Sequence, residues 1–312
     1  MQFGLLLHAE SHDVDAVMEE ARRADEQGWD SIWMSDHLMR WKGEPRSDGP
    51  LDAFTLMTAL GAVTGRVRLA WSMLNLSFRN PAVLARMLST LDVITKGRVI
   101  GAFGSGWFKE EYAAYDVPLI DDHDERVEYG RDAVRLIKQL WTHPVPERVS
   151  YESKHVHARD ILFGPAPYQK PHPPIWIGGD SDETIRTVKE LADGWVMQRN
   201  ASKEALASIM SAPDWPKRPM TLVRNQRIVV AETREKAFDE ARERFIRSDG
   251  ELGGGSASLE QFLEREIIGS LDDCLERIAE IESWGINYMR VTCEDAEHQE
   301  RVAALILSRL QR

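Results

Sequence analysis

Cysteine is nearly missing from this sequence: Cys274 and Cys293 are the only two in 312 residues. Neither stands in a Cys-x-x-Cys pair, so a disulfide framework is excluded and a reducing, cytoplasmic setting is expected. Basic runs are missing too. With 39 Lys and Arg against 51 Asp and Glu, the net charge of −12 gives no electrostatic reason to hold a nucleic acid backbone. No window approaches the ~18 uninterrupted apolar residues of a membrane span. The opening MQFGLLLHAE carries no basic segment and is expected not to be a secretory leader. Finally, no glycine-rich fingerprint follows the first apolar run, FGLLL, which argues against a doubly wound dinucleotide fold.

What is present is an alternation. Short apolar runs (FGLLL, SIWMSDH, RVRLAWSMLN, GRVIGAFGSG, PIWIGG, GWVMQ, TLVRNQRIVVAE, NYMRVTC) each precede a segment of helical period. In the first such segment Val14, Val17, Met18, Ala21 and Ala24 share one face and Gly28 supplies the stop. Asn80 followed by Pro81 reads as a cap and first turn. Eight strand-plus-helix units predict a single (β/α)8 TIM barrel domain over 1–312. Two stretches break the rhythm. Residues 143–173 form an insertion between the fourth and fifth strands, where VSYESKHVHARDIL alternates like a hairpin. Residues 233–269 read as an extended helical region before the eighth strand, with DGELGGGSAS a hinge or lid by composition.

In such a barrel, function collects at the C-terminal strand ends. That rule selects His8 and Glu10, Asp36 and His37, Ser72, Met73 and Asn75, Gly104, Ser105, Gly106 and Trp107, Gly178, Gly179, Asp180 and Ser181, and Gln198. The two glycines of IGGDSDETIR let the backbone approach a ligand, and the following helix start suits an anion. Equally, they make a tight turn that Ser181 or Asp180 caps. In GSGW the small residues clear room for a flat ligand walled by Trp107, or they relieve crowding around a core tryptophan. In SDH a carboxylate adjoins an imidazole able to carry a proton near neutral pH, though strand alternation would turn Asp36 and His37 to opposite faces. His155 and His157 could share one strand face but have no third metal ligand, and no metal is expected. DDHDE at 121–125 reads as the cap of the fourth helix.

Taken in order, WMSDH, SMLNLSFRNPAVLA, LDVITKGRVIGAFGSGWFKEEY, PYQKPHPPIWIGGDSDETIRTVKELADGW and IIGSLDDCLERIAEIESWGINYMRV resemble the bacterial luciferase-like superfamily of flavin- and deazaflavin-dependent oxidoreductases, over nearly the whole chain. The resemblance implies a barrel that binds reduced FMN, used with oxygen, or the deazaflavin coenzyme F-420, at its C-terminal face. The reaction would be a monooxygenation or a dehydrogenation of a small organic substrate. It implies a non-prolyl cis peptide between Ser72 and Met73 backing the ring, with Asn75 beside it. Gly104, Ser105 and Gly106 would line the ring and Trp107 would wall it. Gly178, Gly179, Asp180 and Ser181 would seat the phosphate. Asp36 and His37 would face the reacting edge, His37 carrying the proton. It also implies a homodimer, for which AVLARMLSTL offers an apolar face, and a separate flavin or deazaflavin reductase as a partner. Two departures stand out. Several deazaflavin-dependent dehydrogenases have a glutamate where Trp107 stands, and Glu111, a turn further on, is not expected to substitute. No arginine-and-histidine cluster like that of the sulfonate monooxygenases is present. Neither a sugar-phosphate dehydrogenase nor an alkanesulfonate desulfonating enzyme is therefore expected. Two other readings stay open: a barrel hydrolase or isomerase of a phosphorylated substrate, and a non-catalytic flavin-binding relative.

Overall fold

The computed structural model describes residues 1–7, 13–40, 49–144, 146–197, 202–247 and 258–310. His8, Glu10, Gln198, residues 41–48 of the loop at 38–51 and the DGELGGGSAS stretch, except its last residue Ser258, lie outside the described residues.

The apolar runs become strands because each is buried on both faces. They are β1 (Gln2–Leu6), β2 (Ser31–Met34), β3 (Arg68–Trp71), β4 (Leu74–Asn75), β5 (Gly101–Gly104), β8 (Ile175–Gly178), β9 (Gly194–Met197), β10 (Thr221–Gln226) and β13 (Tyr288–Thr292). These nine pair, all in parallel, in the order β3-β2-β1-β13-β10-β9-β8-β5-β4. The sheet curls until its ends nearly meet: Leu69 of β3 accepts from Ile100 N–H at 2.9 Å and donates to Arg98 O at 2.8 Å. The result is an α/β fold built on a nearly closed parallel barrel.

The barrel interior holds Trp33, Ala70, Ile100, Ala102, Trp176, Val196, Val223 and Tyr288. Trp33 and Trp176 lie 5.6 Å apart, and the Trp33 indole N–H donates to Ser31, whose hydroxyl is 2.5 Å from that of Tyr288. Two glycines make this possible: a Cβ on Gly4 would stand 2.3 Å from the Trp33 ring, and one on Gly194 2.5 Å from Trp176. Burying each such ring contributes about 2–3 kcal/mol. These rings fill the barrel interior.

Helices cover the outside. In α1 (Val14–Gln27) Val17, Ala21 and Ala24 are buried, Asp13 caps the start, and Gly28 closes the end at φ 95°. α2 (Ala53–Val63) is capped by Asp52. α3 (Pro81–Ile94) is capped by Asn80, which accepts from Ala82 and Val83 N–H, with Pro81 in the first turn. The leucines of AVLARMLSTL, Leu84, Leu88 and Leu91, pack inward on the barrel, while Val83, Val93 and Ile94 remain exposed. α4 (Lys109–Ala114) is short; α5 (His123–Thr142) follows, capped by Asp122 of the DDHDE run. α6 (Asp182–Leu191), α7 (Lys203–Met210), α8 (Arg234–Arg247), α9 (Leu259–Arg265), α10 (Leu271–Ser283) and α11 (Ala296–Val302) complete the layer. Among the described residues no helix is long and apolar enough to cross a membrane.

Between β5 and β8, strands β6 (Arg148–Glu152) and β7 (His157–Leu162) pair antiparallel as a hairpin. The run TLVRNQRIVVAE differs from the single strand expected of it. It breaks at Arg227 into β10 and β11 (Ile228–Val230), and β11 leaves the barrel to pair with β12 (Ile267–Gly269). β12 falls inside the region read as helical. Glu266 drives the junction: its buried carboxylate accepts from Arg227 N–H at 2.7 Å and from the Gln226 amide at 2.8 Å. A three-residue apolar run has no period of its own, so only its partner reveals it as a strand.

Candidate active site

A cleft of about 380 Å³ opens at the C-terminal ends of the barrel strands, within the range of small-molecule and cofactor sites. Asp36, His37, Ser72, Met73, Asn75, Gly104, Ser105, Gly106, Trp107, Gly178, Gly179, Asp180 and Ser181 all line it, so the turns at 104–107 and 178–181 share one rim. A larger cavity, about 690 Å³, lies among α8, α9, α10 and β12 and contains none of these residues.

β2 ends at Met34, so the strand alternation expected to separate Asp36 from His37 no longer applies, and both reach the cleft. Their partners differ. His37 Nδ1 lies 3.1 and 3.2 Å from the two oxygens of Glu111, which is also held by the Leu38 N–H at 2.9 Å. The Glu111 side chain is 1% exposed. A carboxylate only accepts, so this contact assigns the Nδ1 proton and leaves Nε2 as the basic nitrogen. Glu111 comes from α4, and the structure brings its carboxylate to the imidazole. A helical turn past Trp107 is enough to carry the carboxylate back over the cleft.

Asp36 is spent on the wall. Its oxygens accept from both Arg79 terminal nitrogens at 2.7 and 3.0 Å and from Asn75 N–H at 2.9 Å. Burial pushes this carboxyl up from its ordinary value, and the Arg79 fork and charge oppose that. Burial lowers the guanidinium's own proton affinity, but its hydrogen bonds to Asp36 and the charges of Asp36 and Asp52 raise it further. For the carboxyl, burial outweighs the guanidinium; for the guanidinium, the carboxylates outweigh burial.

The peptide between Ser72 and Met73 is cis, between β3 and β4. It turns Met73 between two glycines: a Cβ on Gly104 would be 2.8 Å from Met73 Cβ, and one on Gly178 2.7 Å from Met73 Cγ. These glycines thus clear room for methionine directly, and only through it for any ligand. Gly106 has φ +76°, and a Cβ there would stand 1.8 Å from Tyr112 Oη. That hydroxyl bonds both ends of the Asn75 amide, at 2.8 and 3.0 Å. Trp107 is 57% exposed, 5.8 Å from the His37 ring, so it is a lip of the cleft and not core.

At α6, Ser181 Oγ accepts from Thr184 N–H at 3.2 Å and lies 2.9 Å from Thr184 Oγ1. Gly179, at φ +123°, has its N–H on Val196 O and its carbonyl on the Trp195 indole. The capping role is thus present. Glu183 in the first turn pairs with Arg131 and with Arg186, which offsets its charge beside the helix start.

Residues missed by sequence reasoning include Arg79, Tyr112, Asn225 and Arg290, the last two also lining the cleft. Asn225 donates its amide to Met197 O at 3.1 Å, while its buried Oδ1 has no hydrogen-bond partner. An acceptor left so in a cleft fits a ligand bearing a donor. His155 and His157 do not converge: the first faces Glu128, the second Glu152. Among the described residues no group of His, Cys, Asp or Glu is arranged to hold a metal.

The chain shares 31% identity over 198 residues with an "F420-dependent glucose-6-phosphate dehydrogenase" of Microbacterium testaceum, covering 63% of this chain and 56% of that protein. It shares 28% over 196 residues with an "FMNH(2)-dependent dimethylsulfone monooxygenase" of Pseudomonas putida, covering 63% and 52%. The matches thus span little more than half the length of these relatives. In structure it resembles the monooxygenase RslO1 of Streptomyces bottropensis, with a TM-score of 0.78 at 22% identity over 99% of this chain and 100% of that one. It also resembles an F420-dependent secondary alcohol dehydrogenase, with a TM-score of 0.77 at 17% identity over 98% of each. At these identities the likeness is one of fold. A family model described as luciferase-like monooxygenase matches residues 1–288, and the chain belongs to that family.

Proposed function

We propose that this protein is an oxidoreductase that binds a flavin or deazaflavin in the strand-end cleft and acts on a small organic substrate. Bound there, coenzyme F-420 would supply or receive a hydride, and reduced FMN would activate oxygen. The observation that carries the reading is the His37–Glu111 pair inside that cleft. Oxidising an alcohol removes a hydride from carbon and a proton from oxygen, and His37 Nε2, its tautomer set by Glu111, takes that proton. In the reverse direction the imidazolium returns it. This favours hydride chemistry with F-420, in line with the dehydrogenase relative.

In this reading β3 and β4 are one barrel strand interrupted at the cis peptide, which makes the barrel eight-stranded. Met73, with Ser72 and Asn75, backs the ring, Gly104, Ser105 and Gly106 line it, and Trp107 covers its outer side. Gly178, Gly179, Asp180 and Ser181 at the α6 start seat the phosphate. Asp36 shapes the wall. The insertion at 143–173, the loop at 38–51 and the region within 233–269 set the substrate. A homodimer through Val83, Val93 and Ile94 and a cytoplasmic location complete the proposal.

A monooxygenase using reduced FMN is the second reading. The apolar lining by Met73, Val127, Val196 and Met197 favours it, since a dry wall protects reactive oxygen species. It would require a separate flavin reductase, and the P. putida relative's name specifies the reduced flavin, FMNH(2). A side-by-side fluorescence titration with FMN, oxidised and reduced, and with F-420 decides. Saturable binding of one ligand is expected; binding of neither sinks the proposal.

A further inference from the structure

The back wall of the cleft hangs on one ion pair. Resting on the reading that a flavin or deazaflavin occupies the cleft, we propose that Arg79 is a positioning residue for that cofactor. It holds Asp36 as an oriented carboxylate, and Asp36 fixes the Ser72–Asn75 turn against which the ring lies.

The geometry runs in one line. Arg79 Nη1 and Nη2 grip the two Asp36 oxygens at 2.7 and 3.0 Å, and the oxygen held by Nη1 also accepts from Asn75 N–H at 2.9 Å. Asn75 lies two residues beyond the Met73 that fills the gap between Gly104 and Gly178. The guanidinium is itself placed: it sits 5.7 Å over the Phe54 ring, which stacks on Trp71, and Nη2 reaches Asp52 at 3.4 Å. The Asp36 side chain is 2% exposed. The charged groups that face it are Arg79, from the loop ahead of α3, and Asp52, from the α2 cap. Its neighbour His37 turns to Glu111 instead.

Without the guanidinium, Asp36 would be a buried carboxyl that keeps the Asn75 N–H but has only another acid, Asp52, as its charged neighbour. It would take up a proton more readily, because burial and Asp52 both disfavour its charge. At low pH the neutral acid fits the wall. As pH rises the carboxylate forms unpaired, and the turn shifts to reach solvent. The affinity for the ring therefore becomes pH-dependent, falling as pH rises, where in the native protein the paired carboxylate keeps the turn fixed. A residue that only fills space would weaken binding equally at every pH.

The test is fluorescence titration with oxidised FMN and with coenzyme F-420 at pH 5.5, 7.0 and 8.5. Native protein, Arg79→Gln, Arg79→Lys and the double variant Asp36→Asn/Arg79→Gln are compared, each checked by a thermal melt. Relative to native, Arg79→Gln is expected to bind about tenfold worse at pH 8.5 than at pH 5.5. Arg79→Lys should fall between, and the double variant should bind independently of pH. A loss in Arg79→Gln that is uniform across pH, or no loss, overturns the inference and leaves the cofactor reading standing. Native protein that binds neither ligand overturns both. If Arg79→Gln does not fold, the double variant decides: folded but unable to bind, it overturns the inference.

Discussion

Two histidine–glutamate pairs of similar length sit in different parts of the molecule. His37 lies 3.1 Å from Glu111 at the cleft, and His157 lies 2.9 Å from Glu152 on the outer hairpin. Yet the Glu111 side chain is 1% exposed and the Glu152 side chain 78%. On the hairpin, water and salt screen the contact, and either side chain can leave it freely. At the cleft, water cannot replace the partner, so the same contact fixes a tautomer and a ring orientation. The ion pairs show the same contrast. Arg79–Asp36 is buried in the wall, whereas Arg148–Asp160, at 3.2 Å, is solvated on both sides. Burial, not distance, separates chemistry from decoration here.

The largest effect should come from breaking the buried ion pair. Arg79→Ala is expected to cost about 3–5 kcal/mol of stability, because it strands a buried carboxylate. Arg148→Ala should stay within about 0.5 kcal/mol. Urea unfolding of the two variants side by side measures both, and equal losses would erase the contrast.

A third histidine extends the comparison. His298 is buried, donates its Nε2–H to Ile228 O over 2.6 Å, and accepts at Nδ1 from Arg244. Burial first, then the Arg244 charge, pushes its pKa down from 6.5 to about 4. The unfolded chain gains this proton as pH falls through 6.5, and the folded chain only near 4. Its contribution to stability is therefore complete above pH 6.5 and lost progressively down to about pH 4, about 3 kcal/mol in all. Unfolding midpoints across that window should fall, and His298→Gln should flatten the slope. An unchanged slope in the variant would assign the fall to other groups.

Smaller still, Glu111→Gln should lower turnover by about 10–100-fold on a substrate the loaded enzyme accepts, since the Nδ1 partner is altered. Glu152→Gln should leave turnover unchanged. Steady-state rates of both variants, with cofactor affinity measured in parallel, test the pair. Equal rates would remove His37 from the proton path.

Much of the site could be read in the chain because the residues concerned end apolar runs. GSGW and IGGDS stand where a buried strand gives way to small residues, and the barrel rule brings such ends together. Arg79 could not be found that way. It lies in the approach to the Asn80 cap and is drawn inward only by Asp36, 43 residues away. Tyr112 and Glu111 sit on a six-residue helix whose direction depends on Gly106 at φ +76°. Arg290 and Asn225 stand opposite one another on neighbouring strands, a register invisible in a single apolar run. β12 escaped for the same reason: Ile267–Gly269 is a strand only because β11 lies alongside.

The order of amino acids settled where the barrel strands, their covering helices, the caps and the glycine turns fall, since those follow from short-range pattern and backbone freedom; it did not settle β11 and β12. It also settled that the rim would carry His37 together with the Ser72–Met73 turn. Which carboxylate meets the imidazole, which meets a guanidinium, and how deeply each is shielded from water were decided only by the closed sheet. Those are contacts between segments tens of residues apart, and their strength depends on the solvent that the packed fold removes.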